Sequence, residues 1–72
     1  MNKCLYMVIP CYNEEEVIES TIKILTNKIK LLIKSKKIDK NSKIVIVDDG
    51  SSDKTLEIVK KLKIKNKFLM NF

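Results

Sequence analysis

The stretch Ile44-Val45-Ile46-Val47-Asp48-Asp49-Gly50-Ser51-Ser52-Asp53 decides the fold. Four consecutive β-branched residues with no polar face read as a short strand covered on both sides. Two carboxylates follow, then the only glycine of the chain, placed where a sharp turn needs a residue tolerant of positive φ. Ser51, Ser52 and Asp53 offer cap oxygens for a helix starting near Lys54. Strand, acids, glycine turn and helix make a βα corner, the usual place for a ligand in an α/β sheet.

Working outward, Cys4 to Ile9 is an apolar run that reads as a first strand over about 3–10, ended by Pro10, which cannot donate to a sheet ladder. Cys11 to Glu14 is then a loop. Asn13 with Glu16 three positions on resembles a capping box, and Glu14, Glu15 and Glu16 suit the positive end of a helix. The spacing of Val17, Ile18, Thr21, Ile22, Leu25, Ile29, Leu32 and Ile33 predicts a helix over 14–36 with one wide apolar face. Ile24 and Leu31 lie off that face. The second strand occupies 43–47, and a second helix runs over 53–62 with Thr55, Leu56, Val59 and Leu62 inward. Residues 67–72 read as a third strand. The order β-α-β-α-β calls for a parallel sheet with right-handed crossovers. Two helices for three strands, and a strand with no βα loop after it, suggest the first half of a doubly wound domain.

Composition narrows the function. The 72 residues make at most one small domain, and such a chain buries only ~60% of its unfolded surface. Marginal stability and self-association through the edge at Phe68–Phe72 are therefore expected. A hydrophobic content of 44% fits a globular protein. The net charge is +6, from fifteen lysines against nine acids, with no arginine and no histidine. The lysines are not interleaved with aromatics, which argues against nucleic acid and for a solvated lysine surface. Cys4 and Cys11 span ~23 Å if extended, beyond disulfide reach, so free thiols and a cytoplasmic setting are expected. No run approaches the ~20 apolar residues of a membrane span.

Two loops meet beyond the carboxyl ends of the strands. The first, Cys11 to Glu16, has no glycine and is acidic, so neither a dinucleotide-binding nor a P-loop cradle is present. An aromatic with carboxylates suits the other end of a nucleotide: Tyr12 can cover a base, while Asp48 or Asp49 accepts hydrogen bonds from a base N–H or a ribose hydroxyl. Turn and cap chemistry is the competing role for the acids.

Val8-Ile9-Pro10-Cys11-Tyr12-Asn13-Glu14 and, about 35 residues on, Ile46-Val47-Asp48-Asp49-Gly50-Ser51-Ser52-Asp53-Lys54-Thr55 resemble the two opening motifs of family 2 glycosyltransferases. The resemblance implies the β-α-β-α-β half of a Rossmann-like GT-A nucleotide-binding domain, residues 1–72 being its N-terminal part. It implies a nucleotide-diphosphate-sugar donor, with Pro10, Tyr12, Glu14, Asp48 and Asp49 lining the nucleotide pocket. The Glu14–Glu19 run is most similar to the dolichol-phosphate mannose synthase and bactoprenol glucosyltransferase branch, which implies a polyprenyl-phosphate acceptor and a place at the inner face of a membrane. The family's D-x-D motif for Mg²⁺ or Mn²⁺ and its general base have no counterpart here and are expected beyond residue 72, so the chain alone is expected to be inactive. A receiver-like signalling domain shares Ile-Val-Asp-Asp but ends its first strand with the acids, and a small basic protein binding nucleic acid or lipid is the other alternative.

Overall fold

A computed structural model describes residues 3–71. The elements are β1 (Tyr6–Cys11), α1 (Ile18–Lys34), β2 (Lys43–Asp48), α2 (Thr55–Lys65) and β3 (Leu69–Asn71). The sheet runs β1-β2-β3, and both pairs are parallel, with Val8 opposite Val45 and Val45 opposite Met70. The α/β fold and parallel sheet expected from the alternation are therefore present.

Two crossovers that step the same way across a sheet, both of the usual right hand, leave their helices on one face. The packing shows this. Ile18, Ile22 and Ile29 of α1 and Val59 of α2 close over Cys11, Ile44, Ile46 and Leu69, and all are buried. These strand positions alternate with a second set, because successive side chains leave a strand on opposite sides. On that other face Tyr6, Val8 and Met70 are exposed. The expectation that β2 is covered on both sides is thus corrected: helices cover only the Ile44/Ile46 side. Val45 is still buried, because as the central strand's residue it has Val8 and Met70 in register on either flank.

Several boundaries differ from the sequence reading, each for a local reason. β1 does not end at Pro10 but continues to Cys11. It is an edge strand, where a residue without an N–H is tolerated. The capping box does not form: α1 starts at Ile18 after a turn in which the Glu14 carbonyl accepts from Val17 and Ile18 N–H, at 3.0 and 2.8 Å, and no side chain caps the helix. Val17, placed on the apolar face by its spacing, is exposed for that reason. Thr26, left out of the expected face, is buried and returns its hydroxyl to the Ile22 carbonyl at 2.7 Å.

At the other end of α1, Lys36 adopts φ 61°. Its N–H reaches the Ile33 carbonyl and that of Lys37 the Leu32 carbonyl, at 2.9 and 3.0 Å. This is a Schellman stop with lysine where glycine is usual. α2 runs about one turn later than expected and stops at Asn66. The Asn66 amide donates to Thr26 Oγ1 at 2.8 Å and its Oδ1 accepts from Phe68 N–H at 3.0 Å, which ties α1, α2 and the entry to β3 together. β3 is shorter than expected, and Phe72 lies outside the described residues.

Burying an isoleucine contributes about 1.5–3 kcal/mol, and emptying its site adds a cavity cost. Ile46→Ala should therefore lower unfolding stability by about 2–5 kcal/mol, whereas Val8→Ala on the open face should stay within about 0.5 kcal/mol. Urea unfolding of the two variants checks the asymmetry.

Candidate functional site

Both βα loops rise from the carboxyl end of the sheet, after β1 and after β2. They are joined directly. Asp49 N–H donates to the Cys11 carbonyl at 2.8 Å, extending the β1–β2 pairing one step past the strands. Beyond that point side chains of one loop satisfy backbone groups of the other. Asn13 N–H donates to Ser51 Oγ at 2.9 Å, and Ser52 N–H donates to Asn13 Oδ1 at 2.8 Å. Glu14 N–H donates to Thr55 Oγ1 at 2.8 Å, and Glu15 N–H to Asp53 Oδ2 at 3.3 Å. Asn13 holds φ 50° while doing so, a conformation asparagine tolerates better than most residues. Its side chain serves the other loop, which is why it does not cap α1.

The second loop is folded by its own acids. Asp48 accepts from Ser51 N–H at 3.1 Å and makes a short bond with the Ser51 hydroxyl. Between them Gly50 sits at φ +80°, with no atom within 4 Å of where a Cβ would stand. The glycine is thus required by its backbone angle and not by crowding. Asp53 accepts from Thr55 N–H at 3.0 Å and from the Thr55 hydroxyl at 2.5 Å. Thr55 is fully buried and links the two loops through one oxygen.

Of the residues read from the sequence, Pro10, Tyr12, Glu14, Asp48 and Asp49 all fall at this end of the sheet. Their situations differ. Asp48 is half-buried and spends both carboxylate oxygens on the Gly50 turn, the cap chemistry that competed with ligand binding in the sequence reading. Pro10, Tyr12 and Asp49 are exposed, and Glu14 is half-buried. Asn13, Ser51, Ser52, Asp53 and Thr55 were read only as capping or helix-face residues, yet they hold the loops in place. Their signal was a concentration of Asn, Ser, Asp and Thr in two loops that parallel topology brings to one sheet edge.

The electrostatics are those of an acidic corner. The buried Cys11 thiol is pushed up to about 11, chiefly by desolvation, with Glu14 and Asp48 adding in the same direction. It stays protonated at neutral pH and is no nucleophile. The loop N–H groups named above are already engaged within the protein, so they form no nest for phosphate oxygens. What faces outward is carboxylate and a phenol ring. Such a set accepts hydrogen bonds and covers a flat ring.

Asp53 gives a pH signature. Desolvation opposes its ionisation, but hydrogen bonds from the Thr55 hydroxyl and from Thr55 and Glu15 N–H outweigh this and hold its carboxyl below the ordinary 3.8. A carboxyl with a depressed folded pKa adds stability that is fully present above the unfolded value and disappears as pH falls through the folded one. Stability should therefore drop as pH is taken from just above 3.8 downward, and Asp53→Asn should lack that component. Thermal unfolding against pH for both proteins checks the difference.

The sequence profile of glycosyl transferase family 2 matches residues 6–70. The chain is similar to the uncharacterized glycosyltransferase YkoT of Bacillus subtilis, 46% identical over 63 residues, covering 88% of this chain and 19% of that protein. It is 38% identical over 61 residues to the UDP-N-acetylglucosamine–dolichyl-phosphate N-acetylglucosaminyltransferase of Methanococcus voltae, covering 85% of this chain and 20% of the relative. It is also 40% identical over 62 residues to the poly-β-1,6-N-acetyl-D-glucosamine synthase of Staphylococcus aureus, covering 86% and 13%. No solved structure matches. The chain spans about a fifth or less of the length of these relatives. Matched over nearly its whole length, and folded into the parallel βαβαβ unit that its motifs imply, the chain belongs to glycosyl transferase family 2.

Proposed function

We propose that the zipped corner binds the nucleoside end of a nucleotide-diphosphate sugar, as the nucleotide-binding part of a glycosyltransferase. The observation that carries this is the 2.8 Å bond from Asp49 N–H to the Cys11 carbonyl. It keeps the exposed Asp49 beside the start of the Tyr12 loop, while the neighbouring Asp48 is occupied with the turn. In this reading Tyr12 covers the base, and Asp49 accepts from a base N–H or a ribose hydroxyl. Pro10 and Glu14 line the pocket, and Asp48 acts by holding Gly50 and Ser51 in place. A receiver-like signalling domain is disfavoured, because there the acid pair ends the first strand, whereas here Asp48 and Asp49 come at the end of β2.

The reaction proposed for the whole protein is transfer of the sugar from its nucleotide to an acceptor. A polyprenyl phosphate at the inner face of a membrane is the acceptor we favour, supported by the dolichyl-phosphate named for the archaeal relative. No helix among the described residues is long and apolar enough to cross a membrane. A divalent ion would offset charge on the departing diphosphate. The residues present do not fit one: no group of three or more His, Cys, Asp or Glu is placed to hold a metal among the described residues. In this reading the part taken by these residues is recognition of the donor.

Titration of the chain with UDP and GDP, followed by amide chemical shifts, tests the reading. One nucleotide should perturb Tyr12, Asn13 and Asp49. Loss of a hydrogen bond to a charged group costs about 1.5–3 kcal/mol, so Asp49→Ala should weaken binding roughly tenfold or more. Equal affinity for Asp49→Ala, or shifts confined to residues outside the two loops, would contradict it.

A further inference from the structure

Charge is strongly segregated along the fold. Of the nine acidic residues, all but Asp39 lie at the carboxyl end of β2, in the two loops beyond it, or in the first turn of a helix. Of the fifteen lysines, only Lys54 shares those segments. The rest belong to the helix bodies, the opposite end of the sheet and the connections there. The candidate site therefore sits at an acidic end, and the helix layer is strongly basic.

That helix layer also exposes large aliphatic side chains. At ~100° per residue, Ile24, Lys28 and Leu31 fall within about 60° of one another on α1, opposite the buried Ile22 and Ile29. Ile24 and Leu31 are each 66% exposed. On α2, Ile64 is 84% exposed and points away from the buried Val59, between Lys60 and Lys61 around the helix. Both helices cover the same face of the sheet, so these backs look outward together. The groove between them, about 420 Å³, is lined in part by Lys23 and Lys30. The result is one surface of exposed lysines set with three exposed aliphatic chains.

We infer that the outer face of α1 and α2 is a docking surface for anionic lipid. Lysine is a flexible point charge, suited to the diffuse negative charge of headgroups, and its long stem lets aliphatic neighbours sink while the ammonium stays at the interface. Exposed isoleucine and leucine among lysines is the composition of a helix that lies on a bilayer. A nucleic acid would gain nothing from the aliphatic chains, and the surface has neither arginine nor aromatic residues to read or stack on bases. The acidic loops are repelled by the same surface, so the field orients the protein with its helices down and the site clear of the headgroups. This inference rests on the helix backs alone and is independent of what the acidic corner binds.

Sedimentation of the chain with vesicles tests it, using phosphatidylcholine alone or mixed with phosphatidylglycerol. The chain should bind the mixed vesicles and not the neutral ones, and high salt should weaken the binding. Each lysine near such a surface contributes roughly a fivefold factor, so Lys28→Gln/Lys61→Gln should bind roughly twenty-five-fold more weakly. Ile64→Ser should also weaken binding, and all these sites are exposed enough to leave the circular dichroism unchanged. No preference for the anionic vesicles, or unaltered binding by both variants, would overturn the inference. So would binding of duplex DNA, insensitive to Ile64→Ser, in place of vesicles.

Discussion

The site depends on the reciprocal bonding of the two βα loops, which clasp each other and the first residue of α2. Asn13, Glu14 and Glu15 present backbone N–H groups, and Ser51, Asp53 and Thr55 answer with side-chain oxygens, while Asn13 returns its own oxygen to Ser52 N–H. Each such bond nets only about 0.5–1.5 kcal/mol; three of them are exposed, and the part-buried Glu14–Thr55 bond is the one whose loss would leave a group shielded from water and cost more. Together they bring an acidic turn and an aromatic loop to one place and keep them there. The sheet beneath supplies the register, since the β1–β2 ladder ends at Cys11 opposite Asp48 and the Asp49–Cys11 bond continues it.

The same bonds decide which chemistry the corner can offer. N–H groups used to join the loops are not available to phosphate, so the corner presents acceptors and a ring instead of a cradle of donors. This is the physical reason behind the proposal that the acidic, nearly glycine-free pair of loops takes the nucleoside end of a ligand. Asp48 and Asp49 are adjacent in sequence yet divide the labour. One folds the turn, and the other is left exposed to solvent. Charge segregation follows a similar logic on a larger scale: acids gather where helix N-termini are positive, and lysines populate the helix bodies and far ends.

Much of this was legible in the residues. The apolar run at Ile44–Val47 located the central strand, Gly50 located the turn, and the 3.6-residue spacing of Ile18, Ile22, Leu25 and Ile29 located the inner face of α1. Ile24 and Leu31 were correctly set apart from that face. Other features depended on partners distant in sequence. Asn13 was read as a cap because a local oxygen was its nearest use, but parallel pairing brought Ser52 within reach. Lys36 ends α1 by a conformation that composition disfavours, and nothing nearby announced it. Asn66 joins three elements through bonds to Thr26 and Phe68 N–H, one of them 40 positions away. The single-sided covering of β2 followed from strand order, which a run of β-branched residues does not encode. At the site, residue types pointed to carboxylates and an aromatic, whereas the division between Asp48 and Asp49 needed the turn geometry.

In the structure the two loops form one preassembled unit with no ligand present. Native-state hydrogen exchange of the unliganded protein tests it most directly, read at the amides of Asn13, Glu14, Asp49, Ser52 and Thr55. These amides should be protected and exchange together, at rates closer to those of β2 than to an open loop. Exchange of Asn13, Glu14 and Ser52 at the rates of an unstructured chain, with β2 still protected, would show that the loops are not joined and would contradict it.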